Sequence, residues 1–227
     1  MTENQDPKSR SRGKRTRVKT AKGRKISSTR WLQRQLNDPY VAEARRLGYR
    51  SRAAFKLKEI DDRFGLFKGA KFVVDLGAAP GGWCQVLRKV APKAKILAID
   101  LQPIDDIEGV DFILGDFMEE EAYNLVHAKT KGGVDAVLSD MANPATGHRA
   151  TDHIRTMALA EAALDFAIHV LKPNGIFLSK VLRGGTEGEL LTVMKKHFKN
   201  VQHIKPASSR KDSRELFVLA RGFKGQK

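Results

Sequence analysis

The spacing of apolar positions divides the chain into a polar N-terminal segment, three short amphipathic helices, and a run of strands and helices in alternation. Trp31, Leu32 and Leu36 mark a first helix that Ser28 can cap. Asp38-Pro39 opens a second, with an acid cap and proline at the first helical position, and Gly48 closes it. Ser51 caps a third, whose apolar stripe is Ala53, Leu57, Ile60 and Phe64, and Gly65 ends it. Beyond it, short apolar runs at 72–76, 96–100, 110–114, 135–139, 176–182, 200–205 and 215–221 predict strands. Stretches at 82–91, 118–129, 152–171 and 186–198 predict helices. Seven strands alternating with helices predict an α/β fold, a doubly wound and mainly parallel sheet. Ligands in such sheets sit beyond the carboxyl ends of the strands, near the point where the strand order reverses. The residues that end strands are therefore the ones to examine.

The first strand runs into Asp75-Leu76-Gly77-Ala78-Ala79-Pro80-Gly81-Gly82-Trp83, a glycine-rich turn that opens a helix. Glycine is wanted where a Cβ would block a ligand's approach to the backbone. A dinucleotide fold requires G-x-G-x-x-G, but here the glycines fall at 77, 81 and 82, and Ala79 replaces the middle one. The acid before the turn also disfavours a pyrophosphate. A D-x-G-x-x-x-G spacing suits a nucleoside without phosphates and with a charged amino-acid tail, which describes S-adenosylmethionine. A plain glycine-rich turn is the structural alternative.

Asp100 ends the second strand, where a carboxylate commonly holds a ribose diol. Asp116 follows the third strand and suits either an adenine amino group or a helix cap. Asp140 ends the fourth strand, and Lys180 interrupts an otherwise apolar fifth, an unexpected place for lysine. The first and fifth strands should flank the fourth, so Asp140 and Lys180 can meet at one sheet edge, as reactive groups or as a structural ion pair. Lys56 falls about 60° from the apolar stripe of its helix and so faces the domain, whereas Lys58 points away. Glu215 opens the last strand. If that strand runs antiparallel, Glu215 joins Asp140 and Lys180.

Composition adds a partner. Net charge is +16, and residues 1–30 hold eleven Lys or Arg against Glu3 and Asp6. A segment so poor in apolar side chains cannot fold alone and is expected to be disordered. Its charge suits contacts to the phosphate backbone of an anionic polymer, with a solvated tail or a membrane surface as the alternatives. The chain is thus expected to comprise a basic tail, 1–30, and one α/β domain, 31–227. Lacking a spanning apolar run and any cysteine but Cys84, it is expected to be cytoplasmic, without disulfide, metal or membrane. It is also expected to be a monomer.

Several of these motifs, in order, resemble the FtsJ (RrmJ, RlmE) family of ribosomal RNA ribose 2′-O-methyltransferases. They are Asp38-Pro39-Tyr40, Tyr49 to Leu57, Val74 to Trp83, Gly109 to Phe112, Ser139 to Ala142, Ser208 to Arg210 and Ser213 to Glu215. The resemblance runs from about residue 38 to 221 and implies a Rossmann-like, seven-stranded methyltransferase sheet with its last strand antiparallel. It implies Lys56, Asp140, Lys180 and Glu215 as the catalytic set, and Gly81, Trp83, Asp100, Asp116 and Asp140 as cofactor contacts. It further implies S-adenosylmethionine as cofactor and a uridine in the A-loop of 23S rRNA, within the 50S subunit, as substrate. The chain departs from the family in reading Asp140-Met141-Ala142-Asn143-Pro144, where Asp-Met-Ala-Pro-Asn is usual, and in its long basic tail. Lys180 is expected as general base, or else as a protonated group that orients the reacting oxygen. A base methyltransferase and a non-catalytic RNA-binding assembly factor are the rival readings. The first lacks an aromatic after Asn143-Pro144, and the second needs no polar cleft.

Overall fold

The computed structural model describes residues 16–18, 23, 26–143, 146–184, 187–210 and 212–225. Three helices lead: α1 (Ile26–Leu36), α2 (Pro39–Arg46) and α3 (Ala54–Phe64). Then come β1 (Phe72–Leu76), α4 (Gly82–Val90), β2 (Lys95–Asp100), β3 (Val110–Leu114), α5 (Glu120–Lys129) and β4 (Val134–Ser139). The chain continues through α6 (Arg149–Val170), β5 (Leu171–Leu182), α7 (Glu187–His197), β6 (Phe198–Ile204) and β7 (Glu215–Phe223).

One seven-stranded sheet results, in the order β3-β2-β1-β4-β5-β7-β6. Strands β1 to β5 pair in parallel, and β7 is antiparallel to both β5 and β6. The order reverses between β1 and β4, where crossovers to opposite directions leave a crevice at the carboxyl ends. Alternation along β1 sorts its side chains: Val73 packs with the apolar residues of α3 and α4, Val74 and Leu76 with those of α6 and α7. Since β4 lies inside the sheet, both its neighbours carry their carboxyl ends to the same place. Leu182 of β5 is paired with Glu215 of β7, so the antiparallel strand begins where the parallel ones finish.

The expected helix signals hold at some ends. Asp38 accepts a hydrogen bond from the Tyr40 amide at 3.0 Å, a cap worth about 1 kcal/mol. Gly65 ends α3 in the left-handed region, at φ 60°. Others shift. Helix α1 starts at Ile26, inside the segment expected as a tail, so Ser28 lies in its first turn and does not cap it. Helix α3 starts at Ala54, and it is the Ser51 carbonyl, not its hydroxyl, that accepts from the Ala54 amide at 3.3 Å. Strand β5 begins at Leu171 because Leu171 pairs with Val134 before Lys172-Pro173-Asn174-Gly175 shifts the register. Asn174 takes φ 67° there. Residues 1–15, 19–22, 24 and 25 of the expected tail, and Pro144, lie outside the described residues. Among the described residues, no helix is long and apolar enough to cross a membrane.

Candidate active site

Two glycines of the turn after β1 have left-handed backbones, Gly77 at φ 79° and Gly81 at φ 99°. A Cβ on Gly77 would stand 2.7–2.9 Å from Met141, so glycine lets the segment after β4 pass against the turn. On its other side the turn is tied to the loop after β2 by Arg50. That guanidinium donates to the carbonyls of Pro80 (3.3 Å), Asp105 (2.7 Å) and Asp106 (3.0 Å).

At the reversal point between β1 and β4 lies a cavity of about 410 Å³, walled by the glycine turn, the ends of β2, β3 and β4, and α6. Its charged lining is three carboxylates, Asp100, Asp116 and Asp140, and one cation, Arg155. Such a lining suits hydroxyls, amines and positive charge, and it repels phosphate. One like-charge pair at 4 Å costs from about 1 kcal/mol in water to about 4 kcal/mol near a protein surface. Asp100 is held by its own surroundings: one oxygen accepts from the Ala79 amide (2.8 Å), the other from the Gln102 amide (2.9 Å). Each oxygen keeps a lone pair for a ligand hydroxyl. Asp116 accepts from the Met118 amide at 2.9 Å while also lining the cavity, so it caps the turn and faces the site at once. The donor set therefore fits an unphosphorylated, cationic nucleoside.

From Asp140 a chain of charge leads out of this cavity. The Lys180 ammonium donates to the Asp140 carboxylate at 2.9 Å and to its carbonyl at 2.6 Å. Lys56 Nζ stands 3.7 Å from the other Asp140 oxygen and 2.6 Å from Glu215 Oε1. Their positions follow from the fold: Lys180 sits on β5 opposite Phe217 of β7, and Lys56 on α3 lies 5.5 Å over the same Phe217 ring. All four side chains are less than one-fifth exposed. Burial alone would raise the Asp140 carboxyl, but Lys180 and Lys56 outweigh it and hold that carboxyl below the usual range. Burial likewise opposes the charge on Lys56, and Asp140 and Glu215 reverse it, raising its pKa. The result is a desolvated, alternating string of two cations and two anions beside a ligand cavity, able to hold a hydroxyl and to move a proton from it.

The structure thus brings together Lys56, Asp140, Lys180 and Glu215, and places Asp100, Asp116 and Asp140 on one cavity. It does not bring Trp83 there. Trp83 is 3 % exposed, packs on Phe217 and donates from its indole nitrogen to the Ala53 carbonyl at 2.9 Å. Nor does Gly81 line the cavity: it caps α4, where a Cβ would meet Arg50 and Ile107 at 2.9 Å. Sequence reasoning missed Arg155 and the Arg50 tie. Arg155 could have been found by asking which polar residues of α6 face the carboxyl ends, whereas bonds from Arg50 to carbonyls leave no trace in the pattern. Asn143, in the departure from the usual Pro-Asn order, lines the cavity.

Comparison with known proteins agrees with this fold. Ribosomal RNA large subunit methyltransferase E of Novosphingobium aromaticivorans is 59% identical over 210 residues, 92% of this chain and 95% of that one. The protein of the same name from Sphingopyxis alaskensis is 56% identical over 94% of this chain and 93% of its own. Among solved structures, a putative ribosomal RNA methyltransferase of Plasmodium falciparum superimposes with a TM-score of 0.70 at 32% identity, over 78% of this chain and all of that one. The FtsJ-like methyltransferase family itself matches residues 49–223, from the start of the Arg50 tie to the end of β7. The chain belongs to the FtsJ-like methyltransferase family.

Proposed function

We propose that this methyltransferase uses S-adenosylmethionine to methylate a ribose 2′-hydroxyl in RNA, at a uridine of the 23S rRNA A-loop in the large ribosomal subunit. The observation that carries the reading is the Lys180–Asp140–Lys56–Glu215 string, reached through an aspartate that also lines the nucleoside cavity. The names of the curated relatives, which act on large-subunit ribosomal RNA, support the substrate. Asp100 would hold the cofactor's ribose, Asp116 its adenine, and Asp140 its cationic end.

When bound, the cofactor supplies a methyl group on a sulfonium, which leaves by in-line displacement. Catalysis by the protein is then alignment of the 2′-oxygen and removal of its proton. Lys180 is the general base. A neutral lysine amine has two N–H bonds and one lone pair; the Asp140 carboxylate and carbonyl take both N–H bonds, and the lone pair is free to face the ribose. Lys56, held as a cation by Asp140 and Glu215, stands across the same Asp140 carboxylate from Lys180. It also stabilises the oxyanion as the proton leaves. Glu215 orients Lys56 and accepts from the ribose.

The test uses unmodified large subunits, labelled S-adenosylmethionine and the purified protein, with the site mapped by resistance to alkaline cleavage. A 2′-O-methyl group removes the oxygen that cuts the adjacent phosphodiester, so the ladder should show one gap, in the A-loop. Label without a gap would mean base methylation. No label would leave the RNA-binding reading. A single-turnover pH profile separates the two roles of Lys180: a rate that rises with pH, and a rise that Lys180→Arg abolishes, are expected of a base, and a flat profile would rule it out.

A further inference from the structure

Beyond the catalytic string, a short extended piece of the basic N-terminal sequence is fastened to the domain. Thr16–Val18 runs along α1 with its backbone held by two side chains. Asn37 accepts from the Thr16 amide at 2.8 Å and donates to the Thr16 carbonyl at 2.9 Å. Gln33 donates to the same carbonyl and accepts from the Val18 amide at 3.0 Å. Gln33 lies in the last turn of α1 and Asn37 just past its end, where its side chain also donates to the Gln33 carbonyl at 2.6 Å, so the two act as a two-toothed clamp. All four bonds go to backbone, so the clamp fixes the path of the strap and leaves Arg17, which is exposed, for another partner.

The same two clamp residues line a second cavity, of about 330 Å³, between the start of α2 and the loop before β7. Its cations are Arg34, Arg52 and Arg210. Arg52 and Arg210 share the Asp38 carboxylate, and Arg52 also donates to the Ser208 carbonyl, which fixes both guanidiniums at the cavity wall. Arg34 is exposed and brings five N–H donors in a planar fork. The cavity adjoins the catalytic string, since Arg52 precedes Lys56 by one helical turn and feels the charge of Glu215. Three guanidiniums outnumber the two carboxylates of the lining, Asp38 and the exposed Asp212, and beside a site for a ribose hydroxyl they fit phosphodiester oxygens.

We infer that the clamped strap and this cavity form a track for the RNA backbone flanking the target nucleotide, gripped between Arg17 and the pair Arg34 and Arg210. The inference rests on the RNA reading above. It assigns Gln33 and Asn37 a positioning role: by holding the strap in place beforehand, they remove the cost of ordering it when RNA arrives. The flanking sequence, with eleven Lys or Arg in the first thirty residues, adds attraction that salt screens.

The experiment compares the full chain with a Gln33→Ala/Asn37→Ala variant and, separately, Arg17→Glu. Binding of a 23S rRNA transcript is titrated by fluorescence anisotropy from about 50 to 300 mM salt, beside S-adenosylmethionine affinity and thermal melting. Both variants should bind RNA roughly tenfold more weakly, with a shallower dependence of log affinity on log salt and unchanged cofactor affinity. In transfer assays KM should rise while kcat stays. Arg17→Glu leaves the clamp intact, so it tests the track even if the double variant melts early. Unchanged RNA affinity in Arg17→Glu would overturn the inference, and so would a loss of kcat without a change in KM. Binding of phosphatidylserine vesicles in place of RNA, with the same dependence on Arg17, would overturn it in favour of a membrane partner. If the RNA binds as described but no 2′-O-methyl forms, the track stands and the proposed reaction falls.

Discussion

Two carboxylates sit one strand apart in this sheet, both removed from water, and their surroundings drive them in opposite directions. Asp75 lies within β1, fully buried, and burial pushes its carboxyl up to about 7. Asp140 follows β4, with its amide bonded to the Leu76 carbonyl at 3.2 Å, and Lys180 and Lys56 hold its carboxyl down against the same burial. The difference is position along the strand. Asp75 faces inward between strand and helix, where the polar partner is the Cys84 thiol at 3.3 Å. Asp140 stands beyond the strand's end, where β5, β7 and α3 can each deliver a side chain. Burial makes an acid unusual, but convergence of separate elements makes it useful.

Replacing a member of the string should break this comparison most severely. Lys180→Ala should lower single-turnover methyl transfer by about 10²–10⁴-fold while cofactor affinity changes little. Asp140→Asn should cost stability too, about 3–5 kcal/mol, because two mostly buried ammonium groups lose a shared anion. The sign of its pH dependence follows from the depressed pKa. Stability from ionised Asp140 is fully present above the ordinary aspartate value and is lost as pH falls through the lower folded value. Urea unfolding on the acid side should therefore flatten in Asp140→Asn, and an unchanged acid limb would contradict the pairing.

Asp75 should behave in reverse. Its folded carboxyl is raised from 3.8 to about 7, so the native state prefers the proton. The stability this gives is complete below about pH 4, declines as pH climbs, and levels off above the folded value, a fall of roughly 4 kcal/mol. Asp75→Asn should remove that slope between pH 4 and 7. Equal slopes in the two proteins would mean that Asp75 is ionised in the fold.

Smaller still is the turn that joins the two regions. Gly81→Ala forces a Cβ into a backbone at φ 99° and against Arg50 and Ile107 at 2.9 Å. A loss of about 1–3 kcal/mol is expected, with weaker cofactor binding as the Arg50 tie shifts. Unchanged melting and unchanged cofactor affinity would show that the turn tolerates the strain.

The same contrast explains what could be seen in the sequence. Lys180 was legible because a lysine in an apolar strand violates the pattern, and Asp100, Asp116 and Asp140 because strand ends are where such sheets bind ligands. Glu215 needed one further step, the antiparallel β7, which the structure bears out. Trp83 was expected at the cofactor by resemblance, although its spacing with Val86, Leu87 and Val90 already marked a buried helical stripe, which is where it lies. Ser28 and Ser51 carried capping chemistry, but α1 begins two residues before Ser28, and Ser51 meets α3 through its carbonyl rather than its hydroxyl. The Gln33–Asn37 clamp and the Arg50 tie bind backbone atoms far away in sequence, and no periodicity records such partners.

The finest test of the comparison concerns Cys84, which follows from how little surrounds Asp75. Burial pushes the thiol pKa up, and the Asp75 charge adds to it, so Cys84 stays protonated and donates S–H to one Asp75 oxygen. The other Asp75 oxygen has no hydrogen-bond partner among the described residues. Cys84→Ala removes a weak donor to an acid that has little else, leaving a small apolar gap. The cost should be about 1 kcal/mol, concentrated above neutral pH, where the carboxylate most needs the donor. The raised carboxyl should rise further, so the declining limb of stability should extend to higher pH. Cys84→Ser keeps a donor and should restore the original limb. If alanine and serine variants share one pH profile, the thiol is only filling space, and Asp75 is tuned by burial alone.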